Sequence, residues 1–368
     1  MTEVERVAAV ARRFTFAGEF VRAEPWGSGH IQESYCVVCS AKGTSQRYLL
    51  QRINRAIFHD VPALMENIRR VTEHLADRVK GQPEAERRVL HLVPTHTGQL
   101  WHEEHGGECW RGYRMIVRTR SFETVGSPEQ AFAAARAFGE FQAQLADLPP
   151  PRLAETIPDF HNTPKRLAAL EQAIRDNVAR RATDAHAEVE FALSRRQLAG
   201  VLVTAGLPER IVHNDTKLNN VLFDEVDGRA LCVIDLDTVM PGLAPCDFGD
   251  MVRTATCSAA EDERDLAKVT MQLPLFEALL HGYVSAAGGF LTAAEKSLLG
   301  AAGKVITYEQ GVRFLTDHLA GARYYRVQRM GHNLDRCRAQ FALLASMERQ
   351  EAEMERLARD LHLCSTRR

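Results

Sequence analysis

The sequence lacks an excess of charge of either sign, a long apolar run and a cluster of cysteines. Its 46 Lys and Arg residues nearly balance 48 Asp and Glu residues, giving a net charge of −2, so it carries no electrostatic footprint for nucleic acid or an anionic membrane. No segment approaches the roughly 18–20 apolar residues of a membrane span. The N-terminal residues mix Glu and Arg with apolar side chains, which predicts an amphipathic helix and not a signal peptide. We therefore expect a cytoplasmic protein.

The eight cysteines are scattered along the chain and do not form a secreted disulfide framework. Cys36 and Cys39 have the spacing of a zinc or redox pair. They lie, however, in a strand-like segment, where side chains at i and i+3 point to opposite faces. No second Cys or His pair completes a metal site in the sequence. We interpret both cysteines as structural.

A chain of 368 residues with 45% hydrophobic and 26% charged residues is an ordinary globular sequence, long enough for two lobes. The first third is rich in strand signals, and a short glycine turn between two apolar runs predicts a hairpin. We predict strands at 31–38, 48–53, 89–94, 99–102 and 109–117, with a helix over 61–78.

The second part of the sequence is predominantly helical. Alanine-rich and periodic segments predict helices at 128–148, 164–180, 185–205, 261–287, 293–319 and 338–361. The clear strands here are short and flank charged motifs, at 211–212, 221–223 and 231–234. The predicted fold class is α+β, with a β-rich N-terminal lobe over 1–118 and a helical C-terminal lobe over 119–368.

The strongest feature is a polar loop between two apolar strands, residues 213–220, which we call the 213–220 loop. It carries Asp215, Lys217 and Asn220, and such groups are costly to bury unless they have partners or a task. A second apolar strand ends in Asp235 and Asp237. Strands that deliver carboxylate and amide oxygens to one edge favour a Mg²⁺ site.

The order His, Asp, Lys and Asn in the 213–220 loop, followed by an Asp at a strand end, resembles the catalytic loop and metal-binding Asp of the protein-kinase-like superfamily. Asn214 and the Asp-Leu-Asp sequence at 235–237 are closer to the aminoglycoside phosphotransferase-like branch. Within that branch, five segments in order resemble bacterial N-acetylhexosamine 1-kinases, namely 27–31, 50–54, 213–220, 233–242 and 332–336.

This resemblance implies roles for residues of the two motifs in phosphoryl transfer from ATP. Asp215 would accept the proton of the attacking hydroxyl, and Lys217 would reach the transferring phosphoryl group. Asn220 and Asp235 would hold Mg²⁺. Two further residues of this region would have structural roles: His213 would anchor the loop, and Asp247 would brace it although it begins a Asp-Phe-Gly sequence.

The nucleotide would be bound by the N-terminal lobe. Glycines let the backbone approach phosphates closely, and the resemblance assigns this role to Gly27, Ser28 and Gly29. The lysine expected on the next strand is missing, and Gln51 or Arg52 must replace it on opposite faces of the strand. Charge favours Arg52, whereas the alignment of the Leu-Leu-Gln segment favours Gln51. Glu66 is either an ion-pair partner for this position or, as is more frequent, an exposed side chain of its helix. The backbone of a hinge that includes Met115 and Val117 would contact adenine.

The sugar site depends most on the resemblance, which implies His30, Arg313 and Tyr324 as substrate-binding residues. Asp237 would contact sugar hydroxyls or assist the metal. A different interpretation of Arg313 is a helix salt bridge with Glu309 or Asp317 at i±4.

The implied activity is ATP- and Mg²⁺-dependent phosphorylation of the anomeric hydroxyl of an N-acetylhexosamine, GlcNAc or GalNAc. The first alternative is a kinase of the same fold for another alcohol, such as an amino alcohol or aminoglycoside. A cationic substrate would need acidic lining, for which the sequence offers only the run from Glu261 to Asp265. The second alternative is a nucleotide-binding pseudokinase. The expected partners are ATP and a sugar, and a monomer is favoured.

Overall fold

The computed structural model describes residues 2–27 and 31–365, with side chains as far as 361. The chain forms two compact units, each built from more than one segment. Unit 1 comprises Met1–Arg120, Asp147–Ile157 and Leu222–Val239, and unit 2 comprises Ser121–Ala146, Pro158–Val221 and Met240–Arg368. The Asp235–Asp237 motif therefore belongs to unit 1 and the 213–220 loop to unit 2.

The described strands are short, and most lie in unit 1. In chain order they are β1 (Glu19–Pro25), β2 (Glu33–Ala41), β3 (Thr44–Ile53), β4 (His91–Val93), β5 (His102–Glu103), β6 (Cys109–Arg114), β7 (Thr119–Arg120), β8 (Arg210–Val212), β9 (Val221–Asp224), β10 (Ala230–Val233) and β11 (Met240–Gly242).

The described α-helices lie mostly in unit 2. They are α1 (Glu3–Ala11), α2 (Val61–Val79), α3 (Pro128–Leu145), α4 (Thr163–Asp176), α5 (His186–Ser194), α6 (Ala244–Ala255), α7 (Leu273–Ala287), α8 (Ala293–Ser297), α9 (Leu299–Leu319), α10 (His332–Arg349) and α11 (Glu351–Ser365). None of these described helices has the length and apolar character needed to cross a membrane.

Unit 1 is built on an antiparallel sheet in the order β1-β2-β3-β6-β4, with β5 also paired to β6. The predicted hairpin is confirmed: β2 and β3 meet at Lys42 and Gly43, whose positive φ values of 50° and 78° suit a two-residue turn that matches the strand twist. Helix α1 closes one face of the sheet and buries Val7 and Val10 against Val37, Leu50 and other apolar side chains. A second sheet, β10-β9-β7, ends just before Asp235.

Unit 2 is organised around α9, whose residues are almost all buried and which packs against α4, α6, α10 and α11. Close approaches of backbones rely on glycine. A Cβ at Gly249 of α6 would lie 2.5 Å from the carbonyl oxygen of Ala302 in α9. The short β8–β11 ribbon pairs Val212 with Met240 and leads into the 213–220 loop.

Several sequence-predicted elements differ from the structure. The helix predicted at 261–287 is wrong before Leu273: residues up to Gln272 form loops and a 3₁₀ turn, Leu266–Lys268, and the helix begins with Pro274 in its first turn. The helix predicted at 293–319 is divided into α8 and α9. The helix predicted at 338–361 begins earlier, at His332, and is interrupted at Gln350, whose side chain donates to the carbonyl oxygen of Met271 at 2.9 Å.

Candidate functional site

The 213–220 loop has an irregular backbone, and the residues within it and beside it suit that conformation. Asn214 has a positive φ of 64°, a conformation that Asn tolerates better than most residues. The loop ends in a 3₁₀ turn, Leu218–Asn220, before β9 begins at Val221. The apolar residues on both sides are buried, which holds the two ends of the loop in place.

Asp247 fixes the start of the 213–220 loop. Its carboxylate accepts the backbone N–H groups of His213 at 2.8 Å and of Asn214 at 2.7 Å, and the side-chain amide of Gln142 at 2.5 Å. Burial raises the pKa of Asp247, and the hydrogen bonds from the loop oppose that increase. The carboxylate thus supports a loop conformation that the Asn214 backbone would not adopt by default.

Asp250, one turn further along α6, holds the middle of the loop. It accepts the backbone N–H of Thr216 at 2.9 Å and pairs with Arg253 at 2.7 Å, while the Thr216 hydroxyl donates to the carbonyl oxygen of Asp247 at 2.6 Å. Burial alone would raise the pKa of Asp250, but the positive charges of Arg253, His161 and Lys217 lower it. The loop backbone is therefore anchored to the carboxylates of α6 at three residues, His213, Asn214 and Thr216.

Asp215 is the partly exposed carboxylate that this support presents. Its Oδ2 atom lies 3.0 Å from Nζ of Lys217 and accepts a hydrogen bond from the Asn220 amide at 3.1 Å. His213 is fully buried against the ring edges of Phe138 and Phe141, and its Nδ1 accepts the backbone N–H of Asp215 at 3.3 Å. The loop thus brings together a carboxylate, an ammonium and an amide, the groups that proton abstraction and charge neutralisation require.

In unit 1, Asp237 is bound to a buried arginine that the sequence analysis did not single out. The two terminal guanidinium nitrogens of Arg111 on β6, Nη1 and Nη2, both contact the Asp237 carboxylate, Nη2 at 2.8 Å. Both residues are almost completely buried. Gln32 donates a further hydrogen bond to Asp237 at 2.7 Å. Burial would lower the pKa of Arg111, but the carboxylates of Asp237 and Asp235 raise it.

Asp235 follows β10 directly and has a positive φ of 60°. This left-handed conformation is uncommon for a residue other than glycine, and the next residues form a 3₁₀ turn that contains Asp237. Because the two carboxylates are two residues apart, the Arg111–Asp237 pair limits the conformations open to Asp235.

The two candidates for the missing strand lysine lie on opposite faces of β3. Gln51 is opposite Arg111 in the strand register, and its Oε1 accepts two hydrogen bonds from the guanidinium, at 3.0 and 3.1 Å. Arg52 forms ion pairs with Glu33 and Glu108. Glu66 is exposed and pairs with Arg69 on its own helix, which agrees with the interpretation of Glu66 as an exposed side chain of that helix and not with an Arg52–Glu66 pair.

The other predicted nucleotide-binding residues are only partly described. Gly27 has a φ of 81° at the end of β1, whereas Ser28, Gly29 and His30 lie outside the described residues. The backbone N–H of Met115 donates to the backbone carbonyl oxygen of Arg47 at 3.1 Å. Val117 is half exposed. Their roles toward ATP stay predictions.

Arg313 lies in an aromatic environment in unit 2. Its guanidinium is 5.1 Å from the ring centre of Phe160 and 5.9 Å from that of Tyr325, and it donates to Gln310 at 3.2 Å. Among the described residues, Arg313 does not form the alternative i±4 ion pair with Glu309 or Asp317. Glu309 instead binds His161 and Thr163, at 2.8 and 2.6 Å.

Asp317 has a structural task that the sequence pattern did not indicate. It accepts the backbone N–H groups of Arg323, Tyr324 and Tyr325 at 2.8–3.0 Å and the Asn333 amide at 2.7 Å. These bonds fix the loop that carries both tyrosines. Tyr324 is 56% exposed and Tyr325 packs on Phe314.

Sequence reasoning missed the role of Arg111 and the pair that His161 forms with Glu309. A usable signal existed for Arg111, because it is a charged residue in the middle of the strand Cys109–Arg114, between Trp110 and Gly112. A charge in a buried strand requires a partner. The others lie on helices or loops where polar residues are common, and their partners are distant in sequence.

Comparisons with known proteins agree with this architecture. Residues 23–283 match the phosphotransferase enzyme family (APH). Among solved structures the chain is similar to a microcompartment-associated aminopropanol kinase, with a TM-score of 0.59 and 14% identity over 95% of this chain and 98% of that one. It is also similar to an aminoglycoside phosphotransferase from Alicyclobacillus acidocaldarius (TM-score 0.57, 14% identity, 94% and 96% covered) and a choline kinase from Cryptosporidium parvum (0.57, 12%, 95% and 96%).

At such low identity these structures show a shared fold and nothing about the substrate. The predicted fold class is confirmed, with an antiparallel sheet in the N-terminal part and a helical C-terminal part. The family match covers more than half of the sequence and includes the 213–220 loop and Asp235. The chain therefore belongs to the phosphotransferase enzyme family.

Proposed function

We propose that this protein is an ATP- and magnesium-dependent kinase that phosphorylates the anomeric hydroxyl of N-acetylhexosamines, giving the 1-phosphate and ADP. The observation that carries the kinase part is the arrangement in the 213–220 loop. Asp215 lies within 3.1 Å of both Lys217 and Asn220, on a backbone anchored by Asp247 and Asp250. The sugar part rests on the five segments that resemble N-acetylhexosamine 1-kinases.

Asp215 is the proposed base. An anomeric hydroxyl is more acidic than an ordinary alcohol because the ring oxygen withdraws charge, so one carboxylate suffices to accept its proton. Lys217 would place its positive charge at the transferring phosphoryl group. His213 is proposed as a structural anchor, which agrees with its complete burial between two phenylalanine rings.

Asn220 and Asp235 are the residues proposed to hold Mg²⁺, which would offset the charge of the ATP phosphates when bound. The residue chemistry fits, because amide and carboxylate oxygens are ligands that Mg²⁺ prefers. Within the described residues no cluster of three or more His, Cys, Asp or Glu side chains forms a metal site.

Nucleotide binding is proposed for Gly27, Ser28, Gly29, Arg52, Met115 and Val117. A structural neighbour, aminoglycoside 2′-phosphotransferase-IIIa (TM-score 0.56), was solved as a GDP complex, which supports a nucleotide site on this fold. Arg52 would have to give up part of its pairing with Glu33 and Glu108 to contact phosphates. Substrate binding is proposed for His30, Arg313 and Tyr324.

Asp237 is less suited to a sugar hydroxyl than the sequence suggested. The residue is only 3% exposed, and its carboxylate is already bound by Arg111 and Gln32. We propose that it positions Asp235 instead.

A second candidate is a kinase for a cationic alcohol, the class of substrate named for the aminopropanol and choline kinases that share this fold. The acidic run offered for such a substrate is engaged elsewhere. Glu261 pairs with Arg253 and Arg336, and Asp262 pairs with Arg329 and His332. A pseudokinase is a weaker candidate, because all four residues of the proposed machinery are present.

The test is a turnover assay of the purified protein with ATP, Mg²⁺ and matched alcohols. GlcNAc and GalNAc should be phosphorylated with higher kcat/KM than glucose, galactose, glucosamine, choline and ethanolamine. The product should resist reduction by borohydride, because phosphorylation blocks the anomeric carbon. Preferential turnover of choline or ethanolamine would establish the second candidate, and absence of turnover with every alcohol would favour the pseudokinase.

A further inference from the structure

Two arginines of unit 2 contact the same phenylalanine and lack an acidic partner. Arg166 on α4 donates to the carbonyl oxygen of Phe160 at 3.0 Å, and the guanidinium of Arg313 on α9 lies 5.1 Å from the Phe160 ring centre. Within the described residues, neither arginine has a carboxylate oxygen within 4.0 Å. We call this pair the two-arginine site.

The two-arginine site carries positive charge that no ion pair neutralises within the described residues. Nε of Arg166 is buried and has no hydrogen-bond partner among the described residues. Burial and the nearby charge of Arg313 lower the pKa of Arg166, so the two guanidiniums repel each other. The charge of the neighbouring Glu309 opposes the decrease in the pKa of Arg166 and helps to raise the pKa of Arg313, but its carboxylate oxygens are bonded to His161 and Thr163. Charges in such a place are stable only when a counter-charge offsets their desolvation.

The surroundings of the site leave access for a ligand. Tyr325 packs against Arg313, which gives the guanidinium an aromatic face without neutralising it. The adjacent Tyr324 is 56% exposed, and Asp317 fixes the backbone of both tyrosines. The backbone beside the site is therefore preorganised, and Arg166 and Arg313 are themselves partly exposed.

A run of contacts within unit 2 joins the two-arginine site to the proposed base. His161, the neighbour of Phe160, contacts Glu309 through Nδ1 at 2.8 Å and the carbonyl oxygen of Asn214 through Nε2 at 3.4 Å. Asn214 directly precedes Asp215. The two arginines belong to the same unit as Asp215, so they could bind a small molecule whose hydroxyl lies at Asp215.

We propose that Arg166 and Arg313 bind a carboxylate on the substrate, so that the preferred sugar is an acidic one. This inference rests on the proposed function, and it adds an anionic substituent and a role for Arg166 to it. Paired guanidiniums match the planar geometry of a carboxylate. The same charge disfavours cationic alcohols.

The test is isothermal titration without nucleotide, which measures binding independently of chemistry. The ligands are glucosamine, N-acetylglucosamine, N-oxalylglucosamine and 2-acetamido-2-deoxyglucuronic acid, which differ in charge while keeping the ring. At least one acidic sugar should bind on the order of tenfold tighter than N-acetylglucosamine, and glucosamine should bind more weakly. Arg166→Gln should remove the preference. Arg175→Gln is the control and should retain the preference. Arg175 lies on the same helix, and its side chain donates, among the described residues, to Gln172.

Two outcomes overturn the inference: both acidic sugars bind no tighter than N-acetylglucosamine, or the preference survives in Arg166→Gln. Arg166→Lys keeps a charge without the planar fork and should retain only part of the preference, which provides a second variant if Arg166→Gln does not fold. Parallel turnover assays separate the two proposals. Acid binding that depends on Arg166, without phosphorylation of any sugar, removes the proposed function and keeps the site. Turnover of neutral N-acetylhexosamines without acid preference does the opposite.

Discussion

Arg111 and Asp237 form an almost completely buried ion pair that joins strand β6 to the turn after β10. Side-chain exposures of 2% and 4% mean that neither charge retains much hydration. A buried pair of this kind adds little net stability over an apolar pair, but removal of one partner leaves an uncompensated charge. Gln32 donates a hydrogen bond to Asp237, and Gln51 accepts hydrogen bonds from Arg111, which occupies further polar atoms of the pair. The pair therefore orders the segment that carries Asp235.

Arg111→Met should lower the free energy of unfolding by about 3–5 kcal/mol, because it leaves Asp237 buried without its partner. Arg52→Met is the matched control on the adjacent strand. Arg52 is 28% exposed and pairs with Glu33 and Glu108, so its loss should cost about 1 kcal/mol or less for each pair. Urea unfolding measures both. Equal decreases in the free energy of unfolding of the two variants would contradict the larger effect predicted for Arg111→Met.

Asp247→Asn should destabilise unit 2 and reduce turnover. An amide can accept hydrogen bonds through one oxygen only, whereas Asp247 receives two backbone N–H groups and the Gln142 amide. Loss of one such bond costs about 1.5–3 kcal/mol. Asp265→Asn is the control, since that acid is exposed and lies 3.5 Å from Lys268. Unchanged unfolding in Asp247→Asn would mean that the carboxylate does not support the loop.

The His161–Glu309 pair should make stability depend on pH. Burial would lower the pKa of His161, but Glu309 raises it above 6.5, and His161 in turn lowers the pKa of Glu309 below 4.5 despite its burial. The histidine contribution is complete below pH 6.5 and is lost as pH rises through the raised pKa. The glutamate contribution is complete above pH 4.5 and is lost as pH falls through the lowered pKa.

The stability difference between wild type and His161→Gln should therefore be largest between pH 4.5 and 6.5 and should shrink above the raised pKa. Urea unfolding across this range provides the measurement. His186→Gln serves as the control, because the His186–Glu190 pair is exposed and its loss should have little effect at any pH. A difference for His161→Gln that grows with pH would contradict the assigned charges.

Gly249→Ala should destabilise the α6–α9 contact. The added Cβ would lie 2.5 Å from the Ala302 carbonyl oxygen and 2.7 Å from a side-chain carbon of Ile306, so one helix must move. Overpacking of this kind typically costs about 1–3 kcal/mol. Gly289→Ala meets no atom within 4 Å and should leave the melting temperature nearly unchanged. Similar melting temperatures for both variants would show that the contact yields without cost.

The sequence predicted the elements whose signals are local. The hairpin of β2 and β3 followed from a glycine turn between apolar runs, and the 213–220 loop followed from polar residues between apolar strands. Helix α6 was missed because Gly249 lies in its middle and lowers helix propensity, and because its buried acids Asp247 and Asp250 bond to a loop that is distant in sequence. The helix predicted before Leu273 failed because its acids serve long-range ion pairs with Arg329, Arg336 and other residues.

Within the candidate site, the chemistry was easier to predict than the charge balance. Asp215, Lys217 and Asn220 are neighbours in sequence and in space. Arg111 and Asp237 are far apart in sequence, as are His161 and Glu309, and the i±4 spacing around Arg313 offered as alternative partners two acids, Glu309 and Asp317, that bond elsewhere. Such pairs depend on the packing of distant segments, which single-sequence patterns do not encode.

The most direct test of the account is the turnover and nucleotide binding of Asp215→Ala. With ATP, Mg²⁺ and N-acetylglucosamine, ADP release should fall by about 10²–10⁴-fold because the proton acceptor is absent, while ATP affinity stays near that of wild type. Asp227→Asn, which changes an exposed acid paired with Arg229, should keep wild-type turnover. Activity of Asp215→Ala equal to wild type would contradict the assignment of the base and, with it, the proposed mechanism.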